Sequence, residues 1–157
     1  MIEIERKFLV NSEEYKSLAF KVKLFTQAYL NKNPAKSVRI RIIENEGFIT
    51  IKGISKNSGI SRFEWEKKIP IEEASELMNL CEGEVILKNR YFVKHNEVII
   101  EVDEFLDNNL GLVIAEVELK TIEQKLVLPT WIGKEITGDN KYYNLNLISN
   151  PFKSWQI

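Results

Sequence analysis

The stretch that decides the fold is Met1-Ile-Glu-Ile-Glu-Arg-Lys-Phe-Leu-Val10, in which charged and apolar residues alternate. Successive side chains of an extended strand point to opposite faces. Glu3, Glu5 and Lys7 therefore share one face, and the other carries Ile2, Ile4 and Phe8. Two carboxylates at this spacing lie about 6.6 Å apart along the strand, where like charges repel unless a cation is near. The pair therefore fits a metal site, although a solvated outer face is the commoner explanation for one such strand taken alone.

The same lettering returns near the other end of the chain. Ala115-Glu-Val-Glu-Leu-Lys120 repeats the Glu-x-Glu-x-Lys order of residues 3–7, which suggests two related halves. Between them lie further segments of period two, each with charges on one face and mainly β-branched or aromatic residues on the other. These segments are residues 38–43, 48–52, 62–69, 86–93 and 98–105.

The charged faces of these segments are sorted by sign. Alternation alone also suits an ordinary sandwich with its charges in solvent, but a solvated surface intersperses the two signs because like neighbours cost stability. The like-charged doublets are Glu3/Glu5, Arg39/Arg41, Glu64/Glu66, Lys88/Arg90, Glu101/Asp103 and Glu116/Glu118. If the strands close into a barrel with these faces inward, the acids could hold divalent cations and the bases a polyanion.

Composition predicts one globular domain over residues 1–157, of which 44% are hydrophobic. A net charge of −1, from 22 basic and 23 acidic residues, argues against a nucleic-acid-binding surface. Cys81 is the only cysteine, which excludes an intramolecular disulfide. Because the sequence has no apolar leader and no apolar run of about 18 residues, we expect a cytoplasmic protein that does not bind a membrane.

Turn and periodicity signals predict a few short helices. One should follow an N-cap at Asn11, and a second should cover residues 70–81, which begin with Pro and carry Glu in the first turn. Residues 53–59 are rich in Ser, Asn and Gly and predict a loop. Residues 121–126 predict a helix before a proline, and Asp139 is a suitable N-cap for a C-terminal helix.

An ordered set of motifs resembles the CYTH superfamily, the triphosphate tunnel metalloenzymes, and is most similar to its small bacterial members. Besides the N-terminal Glu-x-Glu-x-Lys, the motifs are Gln27-Ala-Tyr-Leu30, Val38-Arg-Ile-Arg41, Thr50-Ile-Lys-Gly53, Arg62-x-Glu-x-Glu66, Lys88-x-Arg-Tyr91, Glu101-Val-Asp103, Gly111-Leu-Val-x-Ala-Glu-Val-Glu118 and Gly133-Lys-Glu-Ile-Thr-Gly-Asp139. They cover nearly the whole chain in order, which makes the set far more specific than any one member.

The resemblance implies a mainly β (α+β) fold: a closed, eight-stranded antiparallel β-barrel with short flanking helices that binds a triphosphate along its axis with Mg²⁺ or Mn²⁺. The implied metal-site acids are Glu3, Glu5, Asp103, Glu116 and Glu118, with Glu64, Glu66 and Glu101 as further candidates. The implied substrate-binding residues are Lys7, Arg39, Arg41, Lys52, Lys88, Arg90 and Lys141, the last reaching in from the C-terminal helix. Among these, the resemblance implies catalytic roles for Lys7, Glu5 and Glu118.

The chemistry of the residues agrees with a triphosphate ligand. A triphosphate has dense negative charge and no apolar handle, and the sequence has no Gly-rich P-loop to bind it through backbone N–H groups. Arg39 and Arg41 offer planar guanidinium groups that suit phosphate oxygens. Carboxylates favour hard Mg²⁺ or Mn²⁺, and one His with one Cys cannot form a typical structural zinc site.

Three functions stay open from the sequence. The first is metal-dependent hydrolysis of inorganic tripolyphosphate or a related triphosphate, by water that the metal and a carboxylate activate. The second is an adenylyl cyclase of the class IV type on the same scaffold. The third is a polyphosphate or nucleotide binding module without turnover, which would not need the full set of acids. The expected partner is a small triphosphate or polyphosphate rather than nucleic acid or membrane. A homodimer is one candidate assembly, and the sequence does not decide the oligomeric state.

Overall fold

The computed structural model describes residues 1–155 and consists mainly of one antiparallel sheet. Gln156 and Ile157 lie outside the described residues. The strands are β1 (Ile2–Val10), β2 (Lys21–Asn31), β3 (Lys36–Ile43), β4 (Glu46–Lys56), β5 (Ser61–Ile69), β6 (Glu82–His95), β7 (Val98–Phe105), β8 (Val113–Glu118) and β9 (Ile132–Glu135). The helices are α1 (Glu14–Leu18), α2 (Ile71–Asn79) and α3 (Asn144–Ser149), and short 3₁₀ turns lie between some of these elements.

The first eight strands close on themselves. Their order is β5-β4-β3-β2-β6-β7-β8-β1, and β5 pairs in turn with β1, so that Ile2 lies opposite Phe63 and Ile4 opposite Ser61. The second half of β1 pairs instead with the short strand β9. The prediction of a closed, eight-stranded antiparallel barrel is therefore confirmed, with one additional strand.

The strand register brings the charged doublets onto the inner face of the barrel. Residues directly opposite each other in an antiparallel pair share a face. Glu5 lies opposite Glu118 and Lys7 opposite Glu116. In the same way Lys52 on β4 is opposite Glu64, and Arg90 on β6 is opposite Asp103. The two strands with the Glu-x-Glu lettering are thus hydrogen-bonded neighbours.

The apolar core lies partly outside the barrel and partly at one end of it. One buried cluster packs β1, β7 and β8 against α1 and the segment before β9, and it includes Phe8, Tyr15, Val117 and Trp131. A second cluster packs α3 on residues that share the inward strand faces with the charged doublets, such as Ile114. Because the apolar residues find partners at these two places, the middle of the barrel is left to the charged residues.

The helix predictions hold only in part. The helix predicted over residues 70–81 is confirmed as α2, and the first helix exists but begins at Glu14 without a side-chain cap. The loop predicted over residues 53–59 is confirmed only at residues 57–59, which form the turn, because a bulge lets β4 keep pairing with β5 as far as Lys56.

The helix predicted over residues 121–126 is also wrong. The segment has no helix, and Leu126 packs against the first core cluster. The side chain of Gln124 accepts a hydrogen bond from the backbone N–H of Lys120. Burial of a few apolar side chains on the barrel wall therefore outweighs the weak local preference for a single helical turn.

Of the residues that the structure describes, none belongs to a helix long and apolar enough to span a membrane.

Candidate functional site

A cavity of about 710 Å³ runs inside the barrel and is lined mainly by polar and charged side chains. All eight barrel strands contribute to it. The charged residues on its wall are Glu3, Glu5, Lys7, Arg39, Arg41, Lys52, Arg62, Glu64, Glu66, Lys88, Arg90, Glu101, Glu116 and Glu118. Most of the site residues predicted from the sequence therefore lie on one continuous surface.

Four of the bases, Arg39 and Arg41 on β3 and Lys88 and Arg90 on β6, form one side of the cavity. Arg39 and Arg90 are buried, at 9% and 7% exposed, and Lys88 is buried more completely. Burial first, and then the neighbouring Arg39 and Arg90, lower the pKa of Arg41 to about 10, so its guanidinium stays charged at neutral pH. The Nε atoms of Arg39 and Arg41 are buried and have no hydrogen-bond acceptor among residues 1–155. Buried donors normally have an acceptor, and an anionic ligand that reached them would supply one.

Asp103 lies behind two of these bases rather than on the cavity wall. It is fully buried, and its carboxylate accepts hydrogen bonds from Lys88 Nζ at 2.6 Å and from Arg90 Nε and Nη2 at 2.6 and 2.7 Å. The expectation that Asp103 is a metal ligand does not fit this geometry, because both of its oxygens are occupied by cations. Burial, together with repulsion from Arg90, lowers the pKa of Lys88 to about 8, although Asp103 opposes the shift.

The acids face the bases from β1 and β8. Lys7 lies between two of them, with its Nζ 2.6 Å from Glu116 and 3.0 Å from Glu5. Burial opposes the charge of Lys7, but Glu116 and Glu5 outweigh it and raise the pKa of this lysine. Lys52 similarly contacts Glu3 at 2.7 Å and Glu64 at 2.8 Å.

Glu118 differs from the other acids of this side. Within residues 1–155 no basic side chain lies within 4.0 Å of its carboxylate, whereas Glu3, Glu5 and Glu116 each have such a partner. Burial, followed by repulsion from Glu3, Glu64 and Glu5, raises the pKa of Glu118. The exposed Glu118 carboxylate therefore has no ion-pair partner among the described residues, and a bound cation would supply one.

The donor set around Glu118 fits a divalent metal ion in its chemistry. It is made of carboxylate oxygens, which are the ligands that Mg²⁺ and Mn²⁺ prefer. Among the residues described, however, no three Asp, Glu, His or Cys side chains converge as a ready-made metal site. The reason lies in the ion pairs, since Lys7 and Lys52 hold three of the acids that would have to turn towards a metal.

Two acids that the sequence left undecided lie on the cavity wall. Glu66 contacts Arg41 at 3.1 Å and accepts a hydrogen bond from Thr50 Oγ1 at 2.7 Å. Glu101 pairs with Arg90. Both acids therefore compete with an anionic ligand for the guanidinium groups.

Lys141 does not reach the cavity, contrary to the sequence expectation. It lies in a 3₁₀ turn, Asn140–Tyr142, that precedes α3, and Asp139 caps this turn by accepting a hydrogen bond from the Lys141 backbone N–H. The Lys141 Nζ lies 4.0 Å from the ring centroid of Trp155. Attraction to the face of that ring and exposure to solvent hold the lysine on the outside.

Comparison with known proteins agrees with this geometry. The profile of the CYTH domain matches residues 1–148. The chain belongs to the CYTH domain family. Triphosphate tunnel metalloenzymes of this family depend on a divalent metal ion.

Two relatives of this CYTH chain are each called an inorganic triphosphatase. One, from Acetivibrio thermocellus, is 48% identical over 98% of this chain and 97% of its own length. The other, from Nitrosomonas europaea, is 32% identical over 92% of this chain and 95% of its own length. A crystal structure of an inorganic triphosphatase superposes with a TM-score of 0.64 at 30% identity, covering 93% of this chain and 97% of that one.

Sequence reasoning missed several residues of the CYTH cavity. Arg62 stands in the quoted Arg-x-Glu-x-Glu motif and lines the cavity, and its guanidinium lies 5.4 Å from the ring centroid of Tyr143. Asn144, the first residue of α3, accepts hydrogen bonds through Oδ1 from Gln27 Nε2 at 2.8 Å and Lys88 Nζ at 3.1 Å. Period two could have indicated Arg62, but no local signal indicates Asn144, which lies far from the barrel strands in sequence.

Close backbone packing holds the segment before α3 at the cavity. Gly59 and Gly138 both have positive φ, at 90° and 79°, and a Cβ on Gly59 would lie 2.3 Å from the Cα of Gly138. Only glycine allows both the conformation and this approach. The contact joins the β4–β5 turn to the chain that leads into Tyr143 and Asn144, which line the cavity.

Proposed function

We propose that this protein is a divalent-metal-dependent hydrolase of inorganic tripolyphosphate or a related triphosphate. The observation that carries the proposal is the cavity, in which buried guanidinium groups with unused donors face a set of glutamates. The names of the two relatives support the same substrate class. A binding module would need the bases but not the uncompensated acid at Glu118.

The bases are proposed to bind the phosphate chain. Arg39 and Arg41 can donate paired N–H groups to phosphate oxygens, and Lys88 and Arg90 extend the same surface along β6. Lys7 and Lys52 lie on the other side, where they can contact the phosphate that is nearest the acids. Phosphate binding would draw these lysines away from the glutamates that they now contact.

The acids are proposed to hold the metal ion. Glu3, Glu5 and Glu118 are its candidate ligands, with Glu116 beside them, and the residues present fit Mg²⁺ or Mn²⁺. When bound, such an ion neutralises phosphate charge and lowers the pKa of a bound water. Lys7 would contact the phosphate that is attacked, which would free Glu5 and Glu116 from their ion pairs with this lysine. In the reaction a water oxygen bonds to a terminal phosphorus, the P–O bond to the pyrophosphate leaving group breaks, and a proton is released.

Product analysis tests this function directly. The protein should be incubated separately with tripolyphosphate and with ATP, in Mg²⁺ or Mn²⁺, and the products separated. We expect pyrophosphate and orthophosphate from tripolyphosphate, with ATP a poorer substrate because the adenosine adds bulk and removes terminal charge. Glu118→Gln is the matched inactive control. Cyclic AMP as the main product from ATP, or no cleavage of tripolyphosphate, would overturn the proposal.

The cytoplasmic location, the absence of nucleic-acid and membrane partners, the single domain and a homodimeric assembly stay predictions.

A further inference from the structure

Phe25 is a buried aromatic residue of β2 that lies among three cations of the cavity wall. It is 3% exposed. Its ring centroid lies 4.9 Å from Arg90 Cζ, 5.1 Å from Arg41 Cζ and 5.9 Å from Lys88 Nζ. All three distances fall within the roughly 6 Å over which the face of an aromatic ring attracts a cation.

The strand order explains why one ring meets three cations. β2 lies between β3, which carries Arg41, and β6, which carries Lys88 and Arg90. Phe25 is directly opposite Lys88 in the β2–β6 register. The three cations line the cavity and Phe25 is not part of the wall, so the ring lies behind them.

The three cations contact two sets of partners, one that lies behind them and one that lines the cavity. Asp103 and the Phe25 ring lie behind Lys88 and Arg90, within the wall. Glu66, Glu101 and Glu116 also contact Arg41 or Arg90, and all three acids line the cavity. A cation that pairs fully with one of these acids can no longer bind an anionic ligand. Attraction to the ring opposes that movement.

We propose that Phe25 is a positioning residue for the triphosphate, whose ring holds Arg41, Lys88 and Arg90 on the cavity wall with their donors free for phosphate. The ring also excludes water from behind the cations, which strengthens their electrostatic interaction with the ligand. This role rests on the proposed function of the cavity and adds to it a residue that has no polar atom.

A fluorination series at position 25 separates ring electrostatics from packing. Mono-, di- and trifluorinated phenylalanine keep the shape of the ring closely but progressively weaken its negative face. We expect tripolyphosphate affinity, measured by calorimetry in chelator so that no turnover occurs, to fall stepwise with each fluorine. The total loss should be on the order of tenfold for the trifluorinated ring.

Phe8 provides a matched control. It is a β-strand phenylalanine that is 2% exposed, and its ring also lies near a guanidinium, with Arg6 Cζ 5.2 Å from the centroid. Arg6, however, pairs with Glu135 and does not line the cavity. The same fluorinated residues at position 8 should leave tripolyphosphate affinity unchanged.

A second pair of variants gives a kinetic measurement. Phe25→Leu and Phe8→Leu should lower the melting temperature by similar amounts, since each removes a buried ring. Only Phe25→Leu should raise KM for tripolyphosphate, with kcat changed less.

The possible results have distinct meanings. Affinity that stays constant or rises with fluorination at position 25 would overturn the positioning role while leaving the proposed function intact. An equal fall at positions 25 and 8 would overturn it too, because the effect would then be general. If the unmodified protein failed to bind tripolyphosphate, the proposed function itself would fail and the role of Phe25 with it.

Discussion

The acidic and basic sides of the cavity differ in how the strands that carry their charges are arranged. On the acidic side β1 and β8 are direct neighbours, so that Glu5 and Glu118 lie opposite each other with the same charge. On the basic side β3 and β6 are separated by β2, which places the uncharged Gln27 opposite Arg41 and Phe25 opposite Lys88, although Lys23 lies opposite Arg90. Like charges directly opposite each other on paired strands are destabilising. On the basic side, Asp103 pairs with both Lys88 and Arg90, whereas on the acidic side Lys7 and Lys52 pair with Glu3, Glu5 and Glu116 but leave Glu118 without a basic partner.

Glu118→Gln should have the largest effect, because it removes the acid that lacks a basic partner. Loss of an outer-shell partner typically costs about 10–100-fold in metal affinity or activity, so loss of a direct ligand should cost at least that much. The melting temperature should stay equal or rise, since a repulsive charge is removed. Turnover of tripolyphosphate and thermal unfolding measure the two effects.

The exposed Glu97→Gln provides the control for Glu118→Gln, because it removes a carboxylate from the surface. Full activity of Glu118→Gln, or full turnover of the unmodified protein after exhaustive chelation, would contradict the metal site on the acidic side.

Arg41→Ala should have the second-largest effect, and it tests whether the basic side binds phosphate. Each charged hydrogen bond lost should cost about 1.5–3 kcal/mol of binding free energy, which corresponds to roughly 10- to 150-fold in Kd. Lys67→Ala removes an exposed base from β5 and should leave Kd unchanged. Titration of both variants with tripolyphosphate measures the two Kd values. An equal loss in the two variants would remove the support for Arg41 as a phosphate ligand.

Lys7→Gln tests whether ion pairs keep the acidic side from holding a metal. The variant releases Glu5 and leaves Glu116 paired with Arg90 alone, so Mn²⁺ should bind the substrate-free protein more tightly, on the order of tenfold, as is typical of coupled sites. Lys16→Gln, which removes a lysine paired with Glu13 and Glu104 outside the cavity, should have no effect. Calorimetric Mn²⁺ titrations that show equal or weaker binding by Lys7→Gln would refute the coupling.

The smallest effect expected is a pH dependence that originates on the basic side. With its pKa lowered to about 8, Lys88 is charged below that pH and neutral above it. Because phosphate binds the charged form, kcat/KM should fall as pH rises through about 8, by about fivefold between pH 8 and 9. Lys88→Arg should retain its kcat/KM to higher pH. A flat profile for the unmodified protein would contradict this pH dependence of phosphate binding.

Local patterns were reliable where one physical requirement dominated. The alternation of charged and apolar side chains predicted the strands, since a shift of one residue in strand register would turn every charged side chain to the other face. The same rule could not say whether Glu64 and Glu66 face inward, because a solvated edge strand shows the same pattern. That answer depends on the pairing of β5 with β1, which closes the sheet.

Predictions failed where distant parts of the chain decide the conformation. β4 continues past Gly53 because β5 offers it partners, although the composition there is typical of a loop. The family resemblance implied that Lys141 reaches into the barrel from the C-terminal helix. Its actual position depends on Trp155, whose ring lies beside it on the surface.

The sequence by itself determined that most strands carry a charged and an apolar face, that the charges are sorted by sign, and that the acids suit a hard metal and the bases a polyanion. These conclusions follow from side-chain chemistry and the alternation of a strand. Only the tertiary structure decided which charges compensate one another, leaving Glu118 without a base, burying Asp103 behind Lys88 and Arg90, and placing Phe25 among three cations. Such relations depend on strand order and register, which bring together residues that no local spacing connects.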